Sequence, residues 1–174
     1  MPHQASFGRA LISQCERRLF SESLPRVKKC LSQLTEEEIW HRPNPETVSA
    51  GNLVLHLCGN VRQWIVSGLG GAPDIRERSR EFSELGPISS SQLVERLEST
   101  LAEARSVLKS VDPEHLLEER TVQGFRETGL SILVHVVEHF SYHVGQITYF
   151  VKSRKAMDLK YYQGVDLDRT GNQE

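Results

Sequence analysis

Apolar residues recur three or four positions apart along almost the whole chain, which is the spacing of one face of a helix. No stretch alternates convincingly between apolar and polar residues as a half-buried strand would. The pattern therefore predicts four long helices. Their approximate bounds are residues 6–34, 49–68, 90–110 and 128–155.

Prolines and serines mark where the first two helices are expected to bend, stop and start. Pro25 predicts a kink or a short break inside the first helix, with Ser21 or Ser23 capping the new start. The two prolines of the segment 41–46, HRPNPE, end that helix. We expect the second helix to begin near Ser49 and to stop at the glycines that follow it.

The rest of the chain contains one long connection and one segment without a clear pattern. Residues 70–87 form a connection rich in Arg, Asp and Glu, and we expect its charged part, Arg76–Glu84, to be a solvated loop. One of the serines Ser89–Ser91 caps the third helix, and Asp112–Pro113 can start a short helical turn. No element is predicted with any strength for residues 117–126.

These elements predict an all-α fold, and four helices of this size in one chain predict a four-helix bundle. A short link between the first and second helices favours antiparallel neighbours, whereas the long link to the third permits a parallel crossover. We expect the order up-down-down-up in a single domain that covers residues 1–174.

Composition narrows the functional class without naming one. The chain has 174 residues, 21 of them basic and 23 acidic, so its net charge of −2 gives no reason to expect nucleic acid as a partner. No apolar run is long enough to span a membrane, and the N-terminus lacks the pattern of a signal peptide. Three cysteines without metal-ligand spacing are expected to be free thiols in a reducing cytoplasm.

Histidines on the fourth helix carry the first chemical signal. His135, His139 and His143 are four residues apart, and each step of four residues turns only about 40° around a helix, so all three share one stripe. Gln146 lies within the same stripe, beside an arc of purely apolar residues. A polar stripe next to an apolar face is costly to bury unless its groups find partners.

A matching polar band follows the second helix. It consists of His56, Asn60 and Gln63, flanked by apolar residues. Two histidines one turn apart on one helix and a third on a facing helix can hold a divalent ion with open positions for substrate, which is the catalytic type of site. Such a site admits zinc or nickel, with iron or manganese as alternatives, although it lacks the carboxylate of the non-haem iron triad.

Other interpretations of these histidines stay open from the residues alone. A histidine on an apolar face, such as His56, is often a hydrogen-bonded core residue, and a single helical histidine pair is common. A di-metal carboxylate bundle is disfavoured because only Glu38 and His41 have the spacing of its Glu-x-x-His unit, at a helix end. The sequence has no glycine-rich phosphate loop, no HExxH and no GxSxG.

Three stretches resemble the DinB/YfiT-like metalloprotein superfamily, and within it the DUF1572-like subgroup of unknown function. They read LTEEEIWHRPNPETVSAGNLVLHLCGNVRQW, DIRERSREF and HVVEHFSYHVGQITYFVK. The segment from His139 to Ile147, H-x-x-x-H-x-G-Q-I, is the most specific motif, and the W-x-R-P turn before the second helix is moderately specific. The likeness extends from about Leu19 to Lys152.

The resemblance implies a four-helix bundle with a long crossover between the second and third helices, and a divalent metal held by three histidines. Carried over to this chain, the ligands are His56, His139 and His143. His135 matches a position that often holds histidine without being a ligand, so it is expected in the pocket or around the ligands, with Asn60 and Gln146. Many relatives carry arginine where this chain has Val144.

The resemblance also implies a choice of activities. Some members of the superfamily transfer a low-molecular-weight thiol, such as bacillithiol or mycothiol, to an electrophile, and many relatives form homodimers. A metal ion that binds the sulfur would lower its pKa and supply thiolate at neutral pH. We therefore expect a metal-dependent thiol S-transferase, with a metal-dependent hydrolase and a non-catalytic metal-binding or interaction protein as alternatives.

Overall fold

The computed structural model describes residues 2–171, with side chains from Ala5 onward, and most of these residues are helical. The α-helices are α1 (Pro2–Glu16), α2 (Leu24–Leu31), α3 (Glu36–Trp40), α4 (Ala50–Val61), α5 (Arg78–Ser83), α6 (Ser90–Ser110) and α7 (Gly129–Lys155). The other elements are two π-helical segments (Arg17–Ser23 and Arg62–Leu69), a 3₁₀ turn (Pro113–Leu117) and the strands β1 (Glu119–Val122) and β2 (Phe125–Thr128).

The first helix passes through Pro25 without the predicted break. Between α1 and α2 the backbone widens into a π-helical segment, and the N–H of Leu24 donates to the carbonyl of Leu19, five residues earlier. The wider turn accommodates a proline ring that lacks an N–H and would meet a carbonyl in a regular α-helix. Ser23 has helical backbone angles and caps no N–H, and Ser21 lies inside the π-helical segment, so the predicted cap is wrong.

The predicted starts of the second, third and fourth long helices are confirmed, each by a capping box, whereas the first helix begins at Pro2 and not near Ser6. Ser49, Ser89 and Thr128 accept from the backbone N–H three residues on, and the side chain at that third position bonds back to the cap residue. Asp112 caps the predicted short turn, which is a 3₁₀ helix. Thr35 starts the short helix α3 with a capping box of the same kind. The sequence pattern does not predict this helix, because the prolines that follow indicate only the end of a helix.

A β-hairpin occupies most of residues 117–126, the segment in which the residue pattern predicts no clear element. Strands β1 and β2 pair antiparallel, with Val122 opposite Phe125. Gln123 and Gly124 connect them, and both have positive φ, 53° and 82°, as a tight hairpin turn requires. The expectation of a chain without strands is therefore wrong, because strands of four mostly polar, exposed residues produce no apolar alternation.

Helix α4 lies at the centre of the arrangement and packs against α5, α6 and α7. Its apolar side, with Leu57 and Val61, is fully buried, and so is Phe140 on α7. Burial of such side chains contributes about 1.5–3 kcal/mol each, so the facing positions of α4 and α7 are fixed by the core. The predominance of helices agrees with the sequence, whereas the four-helix bundle and its up-down-down-up order stay predictions.

Among the described residues, no helix is both long enough and apolar enough to cross a bilayer.

Candidate metal centre

Three histidine side chains from α4 and α7 converge on one point. His56 Nε2 is 3.0 Å from His139 Nε2, which is 3.2 Å from His143 Nε2. Within the described residues these three form a group whose ligand atoms all lie within 4.8 Å of one another. The structure thus brings together the three histidines that the resemblance implied, and their role as ligands stays a prediction.

The opposite ring nitrogens of two of these histidines are already engaged. His56 Nδ1 lies 2.7 Å from Glu81 Oε2, and His143 Nδ1 lies 2.7 Å from Gln146 Oε1. An ionised carboxylate only accepts hydrogen bonds, so His56 carries its proton on Nδ1. Gln146 Oε1 likewise accepts a hydrogen bond from the Nδ1–H of His143, because the Gln146 amide is oriented with its Nε2 donating to Tyr142 Oη at 3.3 Å. Both Nε2 atoms therefore turn a lone pair towards the centre.

The donor set fits a divalent cation. If His56 and His143 present lone pairs, a neutral His139 has one proton and can satisfy only one of its two close neighbours. A cation among the three nitrogens removes this repulsion, and nitrogens bound tetrahedrally at about 2.05 Å would be about 3.3 Å apart, close to the separations of His139 Nε2 from the other two, while all three lie within 4.8 Å of one another. His139 Nδ1 is buried with no hydrogen-bond partner among the described residues, so no acceptor fixes the tautomer of that ring.

The carboxylate behind His56 belongs to a buried polar relay. Arg76 donates to both oxygens of Glu81, from Nε at 2.7 Å and from Nη2 at 2.9 Å, and its side chain is only 4% exposed. Nη2 also lies 3.1 Å from His56 Nδ1, but that nitrogen donates its proton to Glu81 and so cannot accept from the arginine. Arg76 Nη1 donates to Gln63 Oε1, and Gln63 Nε2 donates to Asp74 Oδ2. Each hydrogen bond holds the next side chain in place.

This relay corrects one sequence expectation. The charged segment Arg76–Glu84 is not a solvated loop, because it contains α5, and the side chains of Arg76 and Glu81 are buried against α4. Charged groups are buried only when they are paired and hydrogen-bonded, and these two are paired with each other and with His56. The alternation of basic and acidic residues in this segment is typical of a water-facing surface, so the sequence did not indicate that Arg76 and Glu81 form a buried pair.

The W-x-R-P motif explains why α5 lies beside the histidines. Arg42 Nη2 donates to the carbonyls of Phe82 and Glu84, at 2.6 and 3.3 Å, and to Asn52 Oδ1. Asn52, fully buried in the first turn of α4, donates to the carbonyls of Glu81 and Glu84. The end of α5 is thereby tied to the start of α4, which places Glu81 over His56.

Gly59 makes room for the same carboxylate. A Cβ atom at this position would lie 1.9 Å from Glu81 Oε1 and 2.9 Å from Arg76 Nε. Any larger residue would therefore push Glu81 off its partners. The glycine has a packing role, because it lies inside α4, where glycine is otherwise unfavourable.

The remaining polar residues of the two bands lie further along the groove between α4 and α7. His135 stacks on Trp64, with ring centroids 3.8 Å apart, and its Nε2 is 3.2 Å from Asn60 Nδ2. Asn60 Oδ1 has no hydrogen-bond partner among the described residues. His135 therefore borders the histidine group without joining it, its ring 5.5 Å from that of His139.

Burial keeps the histidines of α7 neutral. It lowers the pKa of His139 to about 3, assisted by repulsion from the neighbouring rings, and lowers the pKa values of His135 and His143 as well. Burial alone would raise the pKa of Glu81, but hydrogen bonds from Arg76 and His56 outweigh it and lower that pKa. Neutral imidazoles next to an ionised carboxylate are the protonation states that a metal site needs.

The cysteines take no part in the site. All three are free thiols, and burial raises the pKa of Cys15 to about 11 and that of Cys58 to about 12. Burial raises the pKa of Cys30 as well, and its thiol contacts Tyr161 and Thr148. A nucleophilic cysteine needs a lowered pKa, so none of them is a candidate.

The role of Gly59 can be tested by a single methyl group. Gly59→Ala should weaken Zn²⁺ binding about 10- to 100-fold, the usual cost of losing a partner behind a ligand, because the methyl displaces Glu81 from His56. Competition titration with a zinc-binding dye measures the affinity. The matched control is Gly145→Ala, where the added Cβ meets no atom within 4 Å. Equal loss of affinity in both variants would contradict the packing argument.

The lowered histidine pKa values predict how acid affects the metal-free protein. Unfolded histidines have a pKa of about 6.5, so His135, His139 and His143 take up protons on unfolding below that pH while the folded forms stay neutral. Their contribution destabilises the fold progressively as pH falls from about 7 towards 4. Urea unfolding of chelator-treated protein at pH 7.5 and 5 should show lower stability at pH 5, and His139→Gln should reduce the difference. A free energy of unfolding that is the same at both pH values would refute this account.

Comparison with known proteins places this chain in a family. Residues 7–164 match the sequence model of the protein family of unknown function DUF1572, whereas no curated protein matches the sequence. A DinB-like protein of Bacillus cereus ATCC 10987 has a similar structure, with a TM-score of 0.63 and 16% identity over 80% of this chain and 90% of that one. The DinB-like protein YjoA of Bacillus subtilis gives a TM-score of 0.64 and 18% identity, over 88% and 97% of the two chains.

A conserved protein of Enterococcus faecalis is similar to the same degree, with a TM-score of 0.63 and 16% identity over 88% of this chain and 98% of that one. Identities this low establish the fold alone. The family match covers residues 7–164, which is most of the chain, and the structural neighbours show that its fold is similar to that of DinB-like proteins. The chain therefore belongs to the DUF1572 family.

Proposed function

We propose that this protein is a divalent-metal enzyme that joins a low-molecular-weight thiol, of the bacillithiol or mycothiol type, to an electrophile. The convergence of three Nε2 atoms, two of them on rings held from behind by hydrogen bonds at Nδ1, supports this proposal most strongly. His56, His139 and His143 would hold the ion, with zinc or nickel expected. Three protein ligands leave positions for substrate, which a fully ligated structural site does not.

Each surrounding residue has a defined part in this proposal. Glu81 and Gln146 accept hydrogen bonds from the Nδ1–H groups of two histidines, His56 and His143 respectively. These bonds keep the Nε2 lone pairs of both histidines directed towards the centre. Phe82 packs its ring 4.8 Å from that of His56 and shields this side from water. The ion would supply one chemical effect, a lowered pKa for a thiol that binds it. In the reaction a sulfur–carbon bond forms, the leaving group departs with its electron pair, and the thiol proton passes to water.

The same proposal covers architecture and assembly. The long helices would form a four-helix bundle in up-down-down-up order, as one cytoplasmic domain. An exposed stripe of α7 would pair with a second copy, because Val134, Tyr142 and Tyr149 are 48, 63 and 77% exposed and Gly145 has open space above it. Large apolar and aromatic groups around a small residue suit close helix packing.

The ligand assignment predicts which substitutions lose metal. His56→Ala, His139→Ala and His143→Ala should each lose most of the bound ion, because two remaining nitrogens hold a divalent cation poorly. His135→Ala is the control and should retain the ion, since its ring lies outside the group. Elemental analysis of protein purified without chelator measures this. Loss of metal in the His135 variant with retention in the His143 variant would shift the ligand pair by one turn.

The same variants test the reaction. Metal-loaded wild-type protein should consume a thiol together with an electrophile, measured by titration of remaining thiol, and the three ligand variants should not. Turnover of an ester or amide without thiol would favour the hydrolase instead. Tight metal binding without turnover of either kind would favour a non-catalytic metal-binding protein.

The proposed dimer can be tested by measuring the molar mass of the protein in solution. Light scattering at micromolar concentration should give about twice the monomer mass of 19.8 kDa. Tyr149→Glu should shift the protein towards monomer, because it places a charge on the proposed contact face, whereas Glu95→Gln on α6 should not. A wild-type mass near that of the monomer would end the dimer proposal.

A further inference from the structure

A cavity lies about one helical turn from the histidine group, and we infer that it binds the apolar part of the electrophile, which must not be an anion. This inference rests on the proposed thiol transfer. The cavity, of about 440 Å³, lies between α7 and the loop that joins α3 to α4. Its volume is within the range of small-molecule sites.

The cavity is connected to the metal centre through residues that both share. Gln146 lines the cavity and accepts the Nδ1 proton of His143 at 2.7 Å. Leu53 lines it too, and lies three residues before His56 on α4, so the cavity and the ligand occupy successive turns about 5 Å apart. The Gln146 side chain therefore lies between the cavity and the histidine group and borders both.

The lining of the cavity favours apolar groups and disfavours anions. It includes the apolar side chains of Val48, Leu53, Ile147 and Phe150. Glu46 carries the one carboxylate in this lining, so an anionic ligand would be repelled. Polar groups such as the Gln146 amide can orient a ligand by hydrogen bonds.

The loop side of the wall is formed in advance. Thr47 donates to the Asn44 carbonyl from its N–H at 3.2 Å and from Oγ1 at 2.9 Å, and Asn44 Oδ1 accepts from the Glu46 N–H. These bonds close the proline-rich loop on itself and hold Val48 against the core. Binding in a preformed wall needs little ordering of the protein.

An aryl halide serves as the probe of the reaction. With 1-chloro-2,4-dinitrobenzene and 2-mercaptoethanol, a carbon–sulfur bond forms, the carbon–chlorine bond breaks with chloride keeping the electron pair, and the thiol proton passes to water. The aromatic ring would occupy the cavity. 1,3-Dinitrobenzene lacks the leaving group and therefore reports binding alone.

Binding of 1,3-dinitrobenzene, followed by amide NMR shifts of the whole metal-loaded protein, tests the cavity. The shifts should centre on Val48 and Gln146. Val48→Phe should weaken binding at least tenfold by filling the space and should keep the metal, whereas the control Val94→Phe, at a partly buried position of α6, should bind normally. Shifts centred elsewhere, or equal binding by the Val48 variant, would overturn the inference.

A charge test does not depend on the folding of that variant. Wild-type protein should bind 3,5-dinitrobenzoate at least tenfold more weakly than dinitrobenzene, and Glu46→Gln should narrow the gap, whereas Glu37→Gln, exposed on α3, should leave it unchanged. An equal preference in wild type would overturn the inference. Tyr149 lines the cavity and also lies on the stripe proposed to pair with a second copy. Probe affinity that falls as protein concentration rises would mean that the second copy covers the cavity, which also overturns the inference.

The two proposals can fail separately. Probe binding at Val48 without thiol turnover would contradict the proposed transferase activity and support the cavity as a binding site. Turnover of the aryl chloride with a KM that Val48→Phe does not change would support the transferase activity and contradict the role of the cavity.

Discussion

The hydrogen bond between His56 and Glu81 is the interaction on which the rest of the site depends. It joins a helix that supplies a predicted ligand to a connection that lies between two helices, and it decides which nitrogen of His56 faces the centre. A buried carboxylate would be costly without Arg76, and a buried arginine would be costly without Gln63 and Glu81. The packing of this connection against α4 and the orientation of the His56 ring therefore depend on the same few bonds.

Periodicity and caps were enough to locate the long helices. Ser49, Ser89 and Thr128 mark their starts because a side-chain oxygen at an N-cap satisfies a backbone donor whatever the tertiary structure. The histidine stripe on α7 was likewise visible, since helical geometry alone puts residues four apart on one face. Which two of the three histidines join His56 was not visible from spacing. That choice came from the family resemblance, and the structure brings together the same pair.

Long-range partners could not be predicted from spacing. Glu81 is 25 residues from His56, in a segment whose charges resemble a solvated surface, and only the fold places it behind the ring. The stretch DIRERSREF, which contains Glu81, belongs to the family resemblance, but the resemblance assigns no role to its residues. The hairpin was missed because two short, exposed strands carry their signal in the turn, Gln123-Gly124, and not in alternation. Pro25 misled because a π-helical turn is an alternative to a break.

The missing Cβ of Gly59 constrains the order in which this site can change during evolution. An alanine there collides with a glutamate at position 81 but leaves more room for aspartate, whose side chain is one methylene shorter. The aspartate would in turn reach less far towards His56, so either change alone damages the arrangement that the pair together can partly restore. Positions 59 and 81 should therefore be epistatic, because whichever change comes first loses part of the arrangement.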